Sequence, residues 1–307
     1  YDTGATIGYW RERLAKVEPL SFASVNDQVR FEKCSLEVDS THWLAVRRFC
    51  RTQRITPAIY FKCLYAIAIK RWCRAEGDFL IQEIQTDRPA GYTETIGCFL
   101  RLVPSLFFKE SFAPDQSIGE LLATARRLQK EMRNNEYLSG FMLNQLVGQA
   151  GLEFVYNYYH FVVPEIEIDG KVHQTMHLPN AVERVHFVPQ NLGEKLVLDL
   201  FYWNHQFQDY RLLDRIERLS KQVVGGVDKL GQLDLLLDDE APLLIDEWGK
   251  GERISLDETT VSGWFERTLA DWGDAPAAVQ GSETISYRVL AEQSESIARA
   301  LQDDGVG

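Results

Sequence analysis

Basic residues are scarce in this 307-residue chain: 33 lysines and arginines stand against 45 acidic residues, which leaves a net charge of -12. Binding to nucleic acid needs a basic surface for the phosphates, so this class of function is not expected. Long apolar runs are missing as well, since Lys62, Lys70 and Arg71 interrupt the longest apolar zone. None reaches the roughly 18 residues of a membrane helix, so we do not expect a membrane as a partner either.

Cysteine is too sparse for a disulfide framework, because the five that are present are odd in number and lack CxxC spacing. They are Cys34, Cys50, Cys63, Cys73 and Cys98. Free thiols in apolar surroundings behave as small hydrophobic side chains in a reducing compartment. We therefore predict a cytoplasmic protein in which these side chains are packed and not bonded to each other.

Familiar catalytic patterns are missing too, since neither the GxSxG of a serine hydrolase nor a phosphate-binding P-loop occurs. His173 and His177 have the i, i+4 spacing of a zinc-binding helix, but no glutamate stands between them. Gly170 and Pro179 favour a loop there, so no metal site is expected. The acidic run at 238–240 lies in a polar stretch, which indicates a solvated linker and not an acid–base pair.

What the chain does contain is a mixture of helical and strand patterns up to about residue 232, which predicts an α/β layered domain. Thr56-Pro57 starts a buried helix that runs to about Trp72, and Ser117 with Glu120 forms a capping box for another. Further helices are predicted at 9–14, at 40–50 with Ser40 or Thr41 as cap, and at 210–230. Strands are predicted at 31–38, 79–85, 96–108 with a break at Pro104, 152–163 and 196–203.

A second unit is predicted after a polar, acidic stretch. It has helices at 264–272 and 287–301, a short strand at 278–279 and a turn at Gly281. Fewer than about fifty residues are too few for an independent core, so we expect this part to be a domain fragment. The chain starts with Tyr1 and stops just after an amphipathic segment. We therefore expect both ends to be internal positions of a longer polypeptide.

Five short motifs follow one another along the chain: RITP at 54–57, TDR at 86–88, IGCF at 96–99, YWN at 202–204 and ISYRVL at 285–290. In this order they resemble the second half of a nonribosomal peptide synthetase condensation domain that continues into the start of an adenylation domain. Arg101 replaces the asparagine of the family's IGxFVN motif, and Val289 replaces the glutamate of its L-T/S-Y-x-E-L motif. The segment at 134–137 is only a weak match to the family pattern.

The resemblance implies a chloramphenicol-acetyltransferase-like, two-layer α/β lobe, which is the C-terminal half of a V-shaped pair. Residues 1–232 are then the C-terminal lobe of the condensation domain, 233–258 the linker, and 259–307 the start of the adenylation domain. Trp248, Trp264, Phe265 and Trp272 are too many large aromatic side chains for so small a fragment to bury. We therefore expect the linker and the fragment to pack on the lobe, with the leucines at 235–237 against the helix at 210–230.

The resemblance also implies a reaction. A donor acyl or peptidyl thioester is joined to an acceptor aminoacyl thioester, and both are carried on phosphopantetheine arms of carrier proteins. The catalytic HHxxxDG motif does not occur in this chain. It is expected upstream, so no catalytic residue is assigned here and the chain alone should be inactive. It should bind no cofactor itself, since ATP and Mg²⁺ serve only a complete adenylation domain.

The implied partners are the N-terminal lobe, the donor and acceptor peptidyl carrier proteins and the rest of the adenylation domain. The implied setting is antibiotic or siderophore biosynthesis. Arg88 would pair with the aspartate of HHxxxDG across the lobes, because its guanidinium binds a carboxylate through two hydrogen bonds. A surface turn charge is the plainer alternative. The candidates for the wall of the substrate tunnel are Gly97, Phe99, Arg101, Asn157 and Trp203.

Some alternatives stay open at this point. Arg101 would select an acidic or phosphate-bearing group, or would pair with a nearby carboxylate of the protein. The whole lobe could be a degenerate, non-catalytic one that recruits a partner protein. A free-standing acyltransferase of the same superfamily is a third reading, against which ISYRVL argues.

Overall fold

The computed structural model describes residues 3–18, 20, 30–86, 91–92, 94–96, 99–132, 145–146, 154–159, 165–174, 185–204, 211–251 and 260–306. The chain divides into two compact units, Tyr1–Ala241 and Pro242–Gly307. Within the described ranges, no helix combines the length and the apolar character that a membrane span requires.

Unit 1 combines five helices with eight strands in its described part. The helices are α1 (Thr3–Leu14), α2 (Ser40–Thr52), α3 (Pro57–Trp72), α4 (Ile118–Met132) and α5 (Leu212–Val224). The strands are β1 (Phe31–Val38), β2 (Phe79–Thr86), β3 (Leu100–Phe107), β4 (Phe154–Tyr156), β5 (Glu165–Ile168), β6 (Lys171–Gln174), β7 (Val185–Asn191) and β8 (Leu196–Trp203). Short 3₁₀ turns at Lys109–Phe112 and Leu230–Gln232 complete the unit.

Six of these strands form one mixed sheet in the order β1-β8-β7-β4-β2-β3. The three central strands β7, β4 and β2 run parallel to one another, and the outer pairings are antiparallel. The first strand pairs with the last, so that Phe31 lies opposite Trp203. Three of the predicted strands, at 79–85, 152–163 and 196–203, therefore contribute to one sheet, as expected.

Four helices, α2 to α5, cover one face of this sheet in a single hydrophobic core. Helix α3 is apolar nearly all round, and its residues from Ile59 to Ile69 are all buried, as its sequence predicted. Burial of each large aliphatic or aromatic side chain stabilises the fold by roughly 1.5–3 kcal/mol. On the opposite face, Trp10 and Leu14 of α1 form a small cluster with Leu80 and Leu106.

Capping residues explain where the helices begin. Thr56 accepts a hydrogen bond from the Ile59 N–H at 3.3 Å, and Ser117 accepts one from the Glu120 N–H at 3.1 Å, as predicted. The predicted cap of α2 was wrong, because Asp39 takes this role. Its carboxylate accepts hydrogen bonds from the N–H groups of Thr41 and His42, and an ionised acceptor at a helix start is favourable.

Several predicted boundaries also differ from the structure; α1, for example, begins at Thr3 and not at residue 9. Helix α5 ends at Val224 and does not continue to residue 230, since Gly225 and Gly226 terminate it and Gly226 has a φ of 103°. Strand β3 starts at Leu100, and Pro104 does not interrupt it. Proline is tolerated there because β3 is an edge strand. In such a strand every second residue points its backbone N–H away from the neighbouring strand, so a missing N–H costs no ladder bond.

Unit 2 contains a π-helical turn (Leu243–Trp248), helix α6 (Val261–Trp272), strands β9 (Pro276–Gln280) and β10 (Glu283–Ser286), and helix α7 (Tyr287–Asp303). Gly281, with a φ of 60°, lies in the turn of the β9–β10 hairpin. No hydrophobic side chain is buried among its described residues. Exposed ones include Trp248, Trp264 and Trp272, which agrees with the expectation that the fragment has no core of its own.

Candidate functional site

The carboxyl ends of the three parallel strands meet at one edge of the sheet, which we call the carboxyl edge. It is marked by Thr86 at the end of β2, Asn157 just after β4 and Asn191 at the end of β7. Open α/β sheets commonly bind ligands at this edge, where loops carry side chains that the ladder does not use. Two of the residues predicted to face the tunnel lie here.

Asn157 is the better defined of the two. It is 5% exposed, and its N–H donates to the Phe187 carbonyl at 3.0 Å. The next ladder bond would come from residue 189, but Pro189 has no N–H to donate to the Asn157 carbonyl. Strand β4 therefore stops at Tyr156, much earlier than predicted, and the chain rejoins β7 only through Tyr159, which bonds to Pro189 and Asn191. His160 to Val163 lie outside the described residues.

Arg101 is the second residue at this edge. It pairs in register with Gln85 near the end of β2, so its backbone lies two strands away from Asn157. Phe99 precedes the strand, is partly buried and has its ring 6.4 Å from that of Tyr92. Two other predicted site residues, Arg88 and Gly97, lie outside the described residues.

Trp203 is not part of the same group. Its neighbour Tyr202 pairs with Val185, the first residue of β7, so Trp203 lies at the opposite edge of the sheet. The register separates it from the level of Asn157 by about four residues of strand, or about 13 Å. The Trp203 ring packs edge to face on Phe31, with centroids 5.2 Å apart. The sheet thus brings Asn157 and Arg101 to one edge and holds Trp203 at the other.

A buried ion pair lies close to the carboxyl edge and was missed by the sequence analysis. Lys62 Nζ of α3 is 2.7 Å from Glu83 Oε2 of β2, and Ser105 of β3 donates to the same oxygen at 2.8 Å. Gln129 of α4 donates to the other oxygen at 3.4 Å. The sequence did contain a signal for this pair, since a lysine in a helix with no polar face needs a buried partner for its charge. This network joins two helices, α3 and α4, to two strands, β2 and β3.

A second polar cluster occupies the face of the sheet opposite the helices. Asp199 is buried and accepts hydrogen bonds from Ser35 at 2.6 Å and from Gln190, while Lys33 pairs with it at 2.9 Å. Strand alternation places buried His186 and Gln82 on this same face. The same face also carries the apolar cluster of α1 with Leu80 and Leu106, so its polar groups are concentrated around Asp199.

The thiols and histidines of the described residues form no catalytic or metal-binding group. Cys50 and Cys63 are buried, and burial raises the pKa of each thiol to about 12, so neither is a nucleophile at neutral pH. His173 lies in β6, and His177 is outside the described residues. No three metal-ligating side chains converge anywhere in the described part of the chain.

Comparison with known proteins gives the same picture from sequence. No protein-family model matches the chain. Surfactin synthase subunit 3 of Bacillus subtilis (strain 168) is 24% identical over 334 aligned positions, which cover 100% of this chain. Bacitracin synthase 3 of Bacillus licheniformis is 21% identical and covers 99% of it. The chain spans only 25% and 5% of the length of these two relatives.

Solved structures with the same fold are also known. A four-domain nonribosomal peptide synthetase bound to AMP and glycine matches 99% of this chain with a TM-score of 0.68 at 12% identity, and the chain covers 25% of it. The first condensation domain of the calcium-dependent antibiotic synthetase matches 76% with a TM-score of 0.60 at 14% identity, and 54% of that chain is covered. The X-domain from teicoplanin biosynthesis matches 77% with a TM-score of 0.63 at 15% identity, and 58% of that chain is covered.

These neighbours confirm the predicted two-layer α/β fold, and the relatives confirm the resemblance that the five motifs carry. The homologues of this chain are subunits of nonribosomal peptide synthetases that make antibiotics such as bacitracin and gramicidin, and its fold matches that of solved condensation domains such as the first one of the calcium-dependent antibiotic synthetase.

Proposed function

We propose that this chain is the C-terminal lobe of a condensation domain, followed by a linker and the first elements of an adenylation domain. One observation carries the proposal. Condensation-type structures cover 76–77% of the chain, close to the share that lies in unit 1, whereas the four-domain synthetase covers 99%. The boundaries we propose are 1–232 for the lobe, 233–258 for the linker and 259–307 for the adenylation start.

The complete domain would join two carrier-bound thioesters. The amine of the acceptor attacks the thioester carbonyl of the donor, an amide bond forms, and the donor's phosphopantetheine thiol leaves. A histidine of HHxxxDG would be positioned at this amine, and that motif does not occur in this chain. The lobe therefore contributes the wall of the substrate tunnel and a docking surface for carrier proteins. Asn157 and Arg101 at the carboxyl edge are the wall residues that we propose.

The experiment compares the isolated 307-residue chain with the complete condensation domain of the same synthetase. Donor and acceptor carrier proteins are loaded, and amide product is followed by mass spectrometry. We expect product only with the complete domain. Product formed by the isolated chain would contradict the proposal, because the chain lacks the HHxxxDG motif whose histidine would be positioned at the acceptor amine.

A second candidate function is recruitment of a partner protein without catalysis. The observation that favours it is the likeness to an X-domain whose structure was solved in complex with OxyB, with a TM-score of 0.62 over 76% of this chain. The sequence upstream of Tyr1 distinguishes the two. An intact HHxxxDG supports catalysis, and a broken one together with binding of a partner enzyme supports recruitment.

A further inference from the structure

A surface cavity of about 730 Å³ opens beside the carboxyl edge, at the start of α3. It is lined by residues 54–59, by Arg126, Gln129 and Lys130 of α4, and by Tyr158 and Asn191 from the edge of the sheet. Cavities of this size are typical of small-ligand sites. The RITP motif at 54–57 forms part of this lining, but the sequence analysis gave it no role in binding.

The charge of this cavity is one-sided. Arg54, Arg126 and Lys130 line it, and no carboxylate is among its described lining residues. Arg126 donates to the Arg54 carbonyl at 2.9 Å, but none of the three forms an ion pair within the described ranges. The next residue on α4, Arg127, does pair with a glutamate. In a chain of net charge -12, three cations around one cavity that make no ion pair with any described residue favour an anionic ligand.

Arg54 has a backbone conformation that favours glycine. It follows the C-cap of α2 with a φ of 54°, and its N–H donates to the Arg51 carbonyl while that of Ile55 donates to the Cys50 carbonyl, which is a helix-ending motif. Arg74 ends α3 with the same motif outside the cavity, so this conformation is not specific to the cavity. It does allow glycine to replace Arg54 without backbone strain.

Uncharged donors add to the cations. Helix α3 has 16 residues, and its N-terminus points into the cavity. Pro57 has no N–H, and the Ile59 N–H donates to Thr56. The Ala58 N–H of the first turn is therefore left to donate to a ligand. The Tyr158 hydroxyl is buried beside Asn191 and makes no hydrogen bond of good geometry in the described structure. Burial raises its pKa to about 12, so it stays a neutral donor at neutral pH.

We propose that this cavity binds a phosphate ester. Its phosphate would lie between Arg54, Arg126 and Lys130 at the start of α3, because a dianion needs more than one cation and accepts several hydrogen bonds at once. Its organic part would contact the apolar wall of Ile55, Pro57 and Ile59, which inorganic phosphate would leave unused. The proposal concerns binding only and does not depend on the proposed condensation activity.

Isothermal titration calorimetry on the whole chain tests this proposal. The ligands are AMP, pantetheine phosphate and inorganic phosphate. Adenosine and pantetheine serve as matched controls that lack the phosphate. At least one ester should bind more tightly than both its dephosphorylated partner and inorganic phosphate. Lys130→Gln and Arg54→Gly should each weaken this binding about fivefold or more, and added salt should weaken it further.

Matched variants separate binding from folding. Arg74 ends α3 with the same motif and a φ of 50° but does not line the cavity, so Arg74→Gly should leave binding unchanged, as should Arg127→Gln. Arg54→Gly should not lower the melting temperature, since glycine relieves the backbone strain. The proposal is overturned if no ester binds at millimolar concentration, if inorganic phosphate binds as well as the esters, or if Arg127→Gln weakens binding as much as Lys130→Gln.

Discussion

Arg215 of α5 binds both carboxylate oxygens of Glu240, with Nη1–Oε2 and Nη2–Oε1 distances of 2.9 and 2.5 Å. The same guanidinium donates to the Leu235 carbonyl at 2.6 Å. This paired geometry fixes the segment 233–241 along α5, where Leu233 and Leu237 are buried. We call this segment the strap.

Arg211, just before α5, and Arg218 within it also pair with strap carboxylates, each pair through one hydrogen bond. Arg211 pairs with Asp239 at 2.6 Å, and Arg218 pairs with Asp238 at 2.7 Å. The acidic run at 238–240 is therefore not only solvated, as predicted, since all three carboxylates are ion-paired although Asp238 is 92% exposed. Unit 1 continues through the strap to Ala241, past the residue 232 at which we placed the end of the lobe.

Glu240→Gln should lower the free energy of unfolding of unit 1 by about 1 kcal/mol at pH 7, because the partly buried pair loses its charge and one of its two strong hydrogen bonds. The pKa of Glu240 is lowered, first by its hydrogen bonds with Arg215. Its contribution is thus fully present above the unfolded-state value of about 4.3 and is lost as pH falls through the lower folded-state pKa.

Urea unfolding from pH 7 to pH 3 measures this difference. The gap between wild type and variant should close below about pH 4.3. Glu131→Gln is the control, since its exposed pair with Arg127 should contribute under about 0.5 kcal/mol. Equal losses for the two variants would show that the strap is not specifically held by Glu240.

Local signals in the sequence predicted most helices and strands, because they depend on neighbours in the chain. The pattern at 31–38 gave β1 without error, and Thr56 marked the start of α3. Positions that depend on distant residues were not predictable. Strand β4 is short because Pro189, in the neighbouring strand β7, cannot donate the next ladder bond. Trp203 lies at the edge opposite the carboxyl edge because it pairs with Phe31. A list of motifs contains neither relationship.

Ion-pair partners were not predictable either, because they lie far apart in the chain. Lys62 was recognised only as an interruption of an apolar run, since Glu83 lies 21 residues away in another element. The arginines of α5 and the strap carboxylates are likewise 16 to 28 residues apart. Composition shows that such charges exist, and only the fold shows which of them meet.

Lys62→Met should cost about 3–5 kcal/mol of unfolding free energy, because Glu83 would remain charged and buried without its partner. The double variant Lys62→Met with Glu83→Leu removes both charges and should be much less destabilised than the single one. Denaturant midpoints measure both. A single variant that costs less than about 1 kcal/mol would mean that water or another group compensates Glu83.

His42 should make the stability of unit 1 depend on pH near neutrality, a range in which Glu240 does not titrate. Its ring lies 2.9 Å from Ser220 Oγ, and burial lowers its pKa; Glu217 and Asp39 raise it and Lys221 lowers it. The folded state therefore prefers the neutral ring, and stability falls as pH drops below the unfolded-state value of about 6.5. In His42→Gln this part of the pH dependence should vanish between pH 7.5 and 5.5, and an unchanged slope would contradict it.

Arg88 keeps its predicted role between the lobes, which the described residues do not test. In the complete synthetase, Arg88→Ala should lower amide formation and the melting temperature together, because an unpaired buried aspartate costs about 3–5 kcal/mol. Arg88→Lys keeps the charge but not the two-pronged geometry, so it should recover only part of the loss. An Arg88→Ala synthetase with full turnover and an unchanged melting temperature would assign the residue to the surface.

The end of the lobe can be located by comparing a chain that stops at Ala241 with one that stops at Gln232. The longer chain keeps Leu233 and Leu237 buried and the three arginine pairs formed, whereas the shorter one exposes the apolar stripe of α5 that they cover. Each lost leucine should cost roughly 1.5–3 kcal/mol, so the shorter chain should unfold at clearly lower urea concentration and aggregate more readily. Limited proteolysis of the whole chain gives an independent measurement, in which the strap at 233–241 should be protected. Rapid cleavage inside 233–241, or equal stability of the two shortened chains, would show that the strap does not stabilise the lobe and that residue 232 is its functional end.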